Sequence, residues 1–239
     1  MPYRNIVFQK DQPFHIIARA VDERKIFVED ADCYRFIFQM QAANIGKPAI
    51  NLRRANVVNF AKALLCGDET TDNLITKEHD PLVHILDFCL NVTHYHFYLL
   101  PTSENSMSLF MKKLNGGFAK YFNLKYNRKG TLFGSRYKSI PMETDFQSDA
   151  VSRYVSIVNP LDMHQPGWRE NGLLSQEKAL EFLRNYKFSS FLDKIGERKS
   201  KILAPENILK DHGLSDYANF VEDFLQQRLA LPKVLPYNV

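Results

Sequence analysis

The sequence predicts an α+β fold, and three observations carry that prediction. Residues 82–100, LVHILDFCLNVTHYHFYLL, are two apolar runs broken at Asn91-Val92-Thr93, the pattern of a β-hairpin. On either side of it the apolar spacing changes to that of helices, with Tyr34, Ile37 and Phe38 before and Leu114, Phe118 and Phe122 after. With 45% hydrophobic residues in 239, the chain has enough apolar surface for a sizeable core.

Taken in order, residues 14–20, FHIIARA, read as a first strand and residues 29–44 as a helix stopped by Ile45-Gly46-Lys47-Pro48. Asn51 is placed to cap a second helix running to Leu65, with Val57, Val58, Ala61, Leu64 and Leu65 as its apolar stripe and Gly67 as its end. Residues 68–80, DETTDNLITKEHD, read as a polar surface loop. After the hairpin, a cap in residues 103–105 starts a helix to Tyr126. Gly116-Gly117 weakens its middle at roughly 1 kcal/mol per glycine, which suggests a close approach of backbone to a ligand. Residues 136–142 read as a strand and residues 145–158 as a helix carrying Tyr154. Val151, Val155 and Val158 make its buried stripe, and Tyr154 lies about 60° to one side of it. A loop over 167–172 and helices over 175–186 and 215–231 complete the chain, with a charged loop at 194–201 whose Arg198, Lys199 and Lys201 are placed to meet DNA backbone. No internal repeat or low-complexity segment is present.

No apolar run reaches the roughly 18–20 residues of a membrane span, and the opening MPYRNIVFQKDQPFH lacks the apolar region of a signal peptide. Cys33, Cys66 and Cys89 are odd in number and widely spaced, which fits packing residues in a reducing cytoplasm better than a disulfide framework. A net charge of +4 does not by itself imply a nucleic-acid partner, but its distribution is informative. From Asn105 to Met142 there is no Asp or Glu, while Lys112, Lys113, Lys120, Lys125, Arg128, Lys129, Arg136 and Lys138 stand among Tyr121, Phe122, Tyr126, Phe133 and Tyr137. Such a one-signed run suits phosphate binding, and the aromatics suit stacking on unpaired bases; a solvated basic face over core aromatics has the same signature.

His94 and His96 carry the sharper chemistry. Two residues apart in a strand, they share a face and can ligate one ion, while Tyr95 points into the core on the other side. His-x-His alone also occurs in strands that bind nothing, so its neighbours decide.

Those neighbours resemble a known family. FCLNVTHYHFYLLP is similar to the His-hydrophobic-His hairpin of single-tyrosine HUH transposases, in particular the REP-associated tyrosine transposases. FMKKLNGGFAKYFNLKYNRKGTLFGSRYKSIP resembles the family's following helix and strand, RYVSIVNPLDM the segment with its tyrosine and Asn-Pro pair, and NYKFSSFLDKIG a later block, in the family's order. The resemblance implies a ferredoxin/RRM-like core with an antiparallel sheet over residues 1–163 and a helical extension over residues 164–239. It implies His94, His96 and Asn159 as ligands of Mg²⁺ or Mn²⁺, an ion choice that a thiolate-free set of imidazoles and oxygens also favours. It makes Tyr154 the nucleophile, where helical spacing alone reads an ordinary core tyrosine with a wet hydroxyl. The implied activity is a single-stranded DNA endonuclease and strand transferase forming a 5′-phosphotyrosine at hairpin-flanked sites, in a cytoplasmic, nucleoid-associated protein for which a homodimer and a monomer both fit the sequence. One departure stands out: Tyr154 precedes Pro160 by six residues rather than the family's five. On an ideal helix the extra residue turns Asn159 by about 100°, unless Pro160 has already opened the helix there. Two other classes fit the residues, a DNA-hairpin-binding module that has lost cleavage and a metal-dependent phosphodiesterase using water.

Overall fold

The structure is a computed structural model that describes residues 8–45, 54–68, 80–134, 136–211 and 217–229. Asn51 and most of the loop expected over 68–80 lie outside them. Four strands, β1 (Phe14–Arg19), β2 (Val83–Asn91), β3 (His94–Pro101) and β4 (Lys138–Pro141), form one sheet in the order β2-β3-β1-β4. All neighbours run antiparallel, so β3 and β1 are central, as an α+β core of this kind requires. Helices α1 (Asp30–Asn44) and α2 (Arg54–Cys66) lie between β1 and β2, and α3 (Ser106–Lys125) lies between β3 and β4.

The two faces of the sheet are sorted by the strand period of two. Phe14, Ile16, Ala18, Tyr95, Phe97 and Leu99 enter the main core with Phe36 and Ile37 of α1 and Phe110, Leu114 and Phe118 of α3. Tyr95 is fully buried there, and its hydroxyl donates to Asn115 on α3. Gly117 is explained by this layer: a Cβ on it would fall 2.3 Å from Gln39 Nε2, which bonds the Lys113 carbonyl. The glycine serves the close approach of α3 to α1, not a ligand.

The aromatics read as base-stacking candidates belong to the same layer. Phe122 is buried, while Tyr121, Tyr126, Phe133 and Tyr137 pack against the core. The Tyr121 and Tyr126 hydroxyls donate to the two oxygens of Asp32, a carboxylate with no solvent exposure, at 2.9 and 2.7 Å. Lys125 Nζ bonds the same carboxylate at 2.6 Å, and Asp32 also caps α1 by accepting from the Val28 and Glu29 amides. A buried charge needs such partners, so this part of the basic run is structural. Arg128 is likewise turned inward, donating to Asn123 Oδ1 and the Thr131 carbonyl.

The opposite face is covered by the segment expected as one helix over 145–158. It is α4 (Asp145–Arg153) followed by a π-helical turn (Tyr154–Val158), and the helix runs on past the expected end as α5 (Asn159–His164). Thr144 caps α4, its side chain accepting from the Gln147 amide. Beyond it come α6 (Trp168–Asn171), where a loop was expected, α7 (Gln176–Asn185), α8 (Phe191–Lys194), α9 (Glu206–Asp211) and α10 (Tyr217–Gln227). Ile157 and Leu161 join Trp168, Leu173, Leu183, Phe191 and Val221 in a second apolar cluster.

The block 185–196 closes the sheet. Ser189 pairs with Cys89, the Leu90 amide donates to the Phe188 carbonyl, and the Ser190 amide donates to the Phe88 carbonyl. These bonds satisfy the outer edge of β2, which would otherwise be an open template for pairing. Arg198, read as a DNA contact, is instead almost buried and binds Asp193 and the Lys187 and Ser189 carbonyls. Cys33 and Cys89 are buried as expected, but Cys66 is exposed. No helix among the described residues is long and apolar enough to cross a membrane.

Candidate active site

The hairpin turns at Val92-Thr93, so β3 begins at His94. His94 pairs with Arg19, His96 with Ile17 and Tyr98 with His15 across the β1 ladder, and Ile17 pairs with Lys138 on β4. Directly paired residues share a face, so His94, His96, His15, Arg19 and Lys138 all stand on the side away from α1 and α3. The His94 and His96 rings lie 5.0 Å apart, as the strand spacing predicts.

Each histidine is fixed through its other ring nitrogen. His96 Nδ1 is 3.0 Å from His15 Nε2, and His94 Nδ1 is 3.0 Å from Thr93 Oγ1. In the tautomers where these Nδ1–H groups donate, both Nε2 lone pairs are left for a ligand, the usual arrangement behind a metal-binding imidazole. His96 Nε2 is buried with no partner among the described residues. Burial holds the imidazoles neutral, assisted by neighbouring cations. His94 is lowered to about 4, with Arg19 as the next cause, and His15 to about 4, with Lys138 next. His96 is lowered to about 2 by burial and then by His15.

Tyr154 reaches this face from the π turn. Its ring is edge-on to His96 and to His15, with centroids 5.6 Å from each. The shifted Tyr154–Pro160 spacing has its explanation here. Asn159 keeps right-handed helical geometry, φ −62° and ψ −46°, so the helix does not open before Pro160. Instead the Asn159 amide donates to the Tyr154 carbonyl, an i→i+5 bond that takes up one extra residue in a widened turn. Asn159 therefore stands one turn beyond Tyr154, where a four-residue spacing would put it on an ordinary helix. Pro160 accounts for the widening, since it has no N–H for the Ser156 carbonyl and its ring would crowd that group in a regular α-helix. Asn159 is 1% exposed, and its Nδ2 has no partner among the described residues.

His96 Nε2 is thus a buried acceptor without a partner on a residue assigned as a ligand by resemblance, whereas the unpartnered atom of Asn159 is its amide nitrogen, a donor, so only Oδ1 of Asn159 has a lone pair for a cation. A set of two imidazoles and one amide fits a hard divalent cation with open positions. Among the described residues no three His, Cys, Asp or Glu side chains gather at metal-binding spacing.

A second group of residues meets Tyr154 that sequence reading did not single out. The Arg169 guanidinium stands over the Tyr154 ring, 5.2 Å from its centroid. Arg169 pairs with Asp162, its Nε donating to Oδ1 at 2.9 Å, and Trp168 Nε1 donates to the same oxygen at 3.0 Å. No local motif marks Arg169, His15 or Asp162. Only the order of the strands and the turn after α5 bring them to Tyr154.

The basic residues divide by face. Lys112, Lys113 and Lys120 stand on α3, on the side of the sheet away from the histidines, with Lys112 and Lys120 exposed. Lys138, Arg136 and Lys129 are exposed near the β4 end, and Lys138 is close enough to His15 to help hold it neutral.

Residues 68–157 match the family described as transposase IS200 like. The IS200-like stretch contains the histidine pair and Tyr154 and ends two residues before Asn159. No curated protein matches the chain. Among solved structures, the chain is similar to one described as "Structure of the REP associates tyrosine transposase bound to a REP hairpin", with 13% identity over 86% of this chain and 92% of that one and a TM-score of 0.47.

Proposed function

We propose that this protein is a single-stranded DNA endonuclease and strand transferase with Tyr154 as nucleophile, acting beside hairpins in DNA. The observation that carries this reading is the position of the Tyr154 ring, 5.6 Å from His96 on the face that holds both histidines. His94, His96 and Asn159 would hold Mg²⁺ or Mn²⁺, which when bound supplies Lewis-acid polarisation of the scissile phosphate.

The chain's own residues supply the rest. His15 and Thr93 orient the two imidazoles, and burial keeps them neutral and available at neutral pH. The π turn aims the phenol at the histidine face. Tyr154 Oη attacks phosphorus, forming an O–P bond as the P–O3′ bond breaks. The phenol proton is lost to solvent and the departing 3′-oxygen takes one up, giving a 5′-phosphotyrosine and a free 3′-hydroxyl. Attack by that hydroxyl reverses the step, so strand joining requires no external energy source. Residues 1–163 form the catalytic unit in this reading, and residues 164–239 are an extension whose residues 188–190 cover the β2 edge. A homodimer is consistent with the reading and is not required by it.

Tyr154→Phe tests the assignment, because it removes one hydroxyl and keeps a ring of the same shape. With Mn²⁺ and single-stranded oligonucleotides carrying a fixed hairpin stem and randomised flanks, the parent forms a covalent adduct on a denaturing gel and Tyr154→Phe does not, while hairpin affinity is retained. A nucleotide found by mass spectrometry on any tyrosine other than Tyr154 refutes the assignment. Binding without adduct in the parent favours the binding module.

A further inference from the structure

We infer that Arg169 is a further catalytic residue, a guanidinium that meets the Tyr154 hydroxyl and the attacked phosphate and stabilises the negative charge that develops between them. The inference rests on the reading of Tyr154 as nucleophile. Four observations support it.

First, the guanidinium carbon lies 5.2 Å from the Tyr154 ring centroid, within cation–π distance of the phenol. Second, Arg169 is positioned by a carboxylate that is itself positioned: Asp162 takes both Nε and a terminal nitrogen of Arg169 and also the Trp168 indole. A fork held on one edge presents its remaining donors in a fixed direction. Third, bonding to Asp162 holds the guanidinium charge above its ordinary range despite partial burial. Fourth, the Arg169 side chain is 40% exposed, unlike the nearly buried pair of Arg198 with Asp193, at 9% and 6%. The Arg198 pair only ties the fold together, whereas Arg169 remains open to an incoming phosphate.

In the reaction, a donor on Tyr154 Oη offsets the charge of the phenolate as its proton leaves. The same fork then faces the non-bridging phosphate oxygens as the O–P bond forms. Donors aimed at charge that appears only in the transition state raise the rate more than the affinity. Asp162 is a positioning residue for this fork, acting through Arg169.

The test is the single-turnover rate of adduct formation by the full chain, with Mn²⁺ and the hairpin oligonucleotide pool labelled at its 3′ end. Arg169→Gln is expected to slow the step roughly a hundredfold, with hairpin affinity and melting temperature close to the parent. Arg169→Lys should fall between, because a point charge replaces a fork. Guanidinium ion at a non-denaturing concentration should restore the rate of Arg169→Ala in a saturable way, and urea should not. A parent-like rate in Arg169→Gln overturns the inference. So does a loss that guanidinium does not rescue and that follows a fall in melting temperature, since that is the behaviour of a structural pair. If the parent's own adduct does not form on Tyr154, the nucleophile assignment fails and the inference falls with it, an outcome visible before any Arg169 variant is made.

Discussion

Lys194→Met should be among the most damaging single changes outside the candidate site, although sequence reading placed Lys194 in a charged loop. Lys194 Nζ is 3.2 Å from Asp87 Oδ2, with side-chain exposures of 9% and 0%. The carboxylate also accepts from Ser190 and Ser152 at 2.8 Å each, so the variant leaves a buried charge with two hydroxyl donors and no cation. Removing one partner of a buried pair typically costs about 3–5 kcal/mol, and the remaining hydroxyls place this case near the lower figure. For a chain of this size each kcal/mol shifts the melting temperature by about 2–4 °C, so a loss of roughly 6–12 °C is expected. The loss should depend on pH. Burial raises the Asp87 carboxyl above the ordinary carboxylate range, and Lys194 is the main influence opposing it. Without Lys194 the folded state takes up a proton more readily than the unfolded chain, so the variant regains stability relative to the parent as pH falls through the raised folded value. Melting followed by circular dichroism at about pH 8 and about pH 5 measures both effects, and Asp87→Asn combined with Lys194→Met should recover much of the loss because no unpaired charge remains. A loss below about 1 kcal/mol, or one that grows on acidification, would refute the reasoning. Ser152 lies two residues before Tyr154, so the adduct rate should fall with the same variant.

His94→Ala and His96→Ala should each abolish adduct formation while hairpin affinity, measured by fluorescence anisotropy, stays near the parent value; an equal loss of binding would contradict the division between phosphate activation and affinity. Changing Lys112, Lys113 and Lys120 together to Gln should reduce the log-log salt slope of binding by roughly 2, at about 0.7 per phosphate contact on single strands. An unchanged slope, with a reduced one for Arg19→Gln and Lys138→Gln, would move the DNA track from α3 to the histidine face. Stability should fall as pH drops from 6.5 towards 4, because His15 and His94 stay neutral in the fold to about 4 while the unfolded chain protonates near 6.5. His94→Gln should flatten that dependence in denaturant titrations, and an unchanged slope would show that another group controls it.

The sequence by itself determined the elements and the local chemistry. A strand period of two placed His94 and His96 on one face and Tyr95 on the other, and the break at Val92-Thr93 fixed where the strand begins. Helical spacing put Tyr154 beside a stripe of Val151, Val155 and Val158; only Val155 of the three is buried, and Tyr154 is half-buried. These features depend on neighbours within a few residues, so local spacing is sufficient to find them. The π turn lay at the limit of what such reasoning reaches: the count from Tyr154 to Pro160 exposed an extra residue, but an ideal helix rotated Asn159 away, whereas the widened turn absorbs the residue and keeps Asn159 one turn from Tyr154. Only the tertiary structure decided which charges are free. Lys125, Arg128 and Arg198 look like surface cations in a string of letters, and each is bound by partners that the fold delivers, Asp32 from 93 residues away in the first case. The same applies to Asp87 with Lys194 and Ser190, 103 residues apart in the latter pair, and to Arg169 above Tyr154. The physical reason is that a charge leaves water only where a partner is brought to it, and strand order and helix packing, not spacing along the chain, determine that partner.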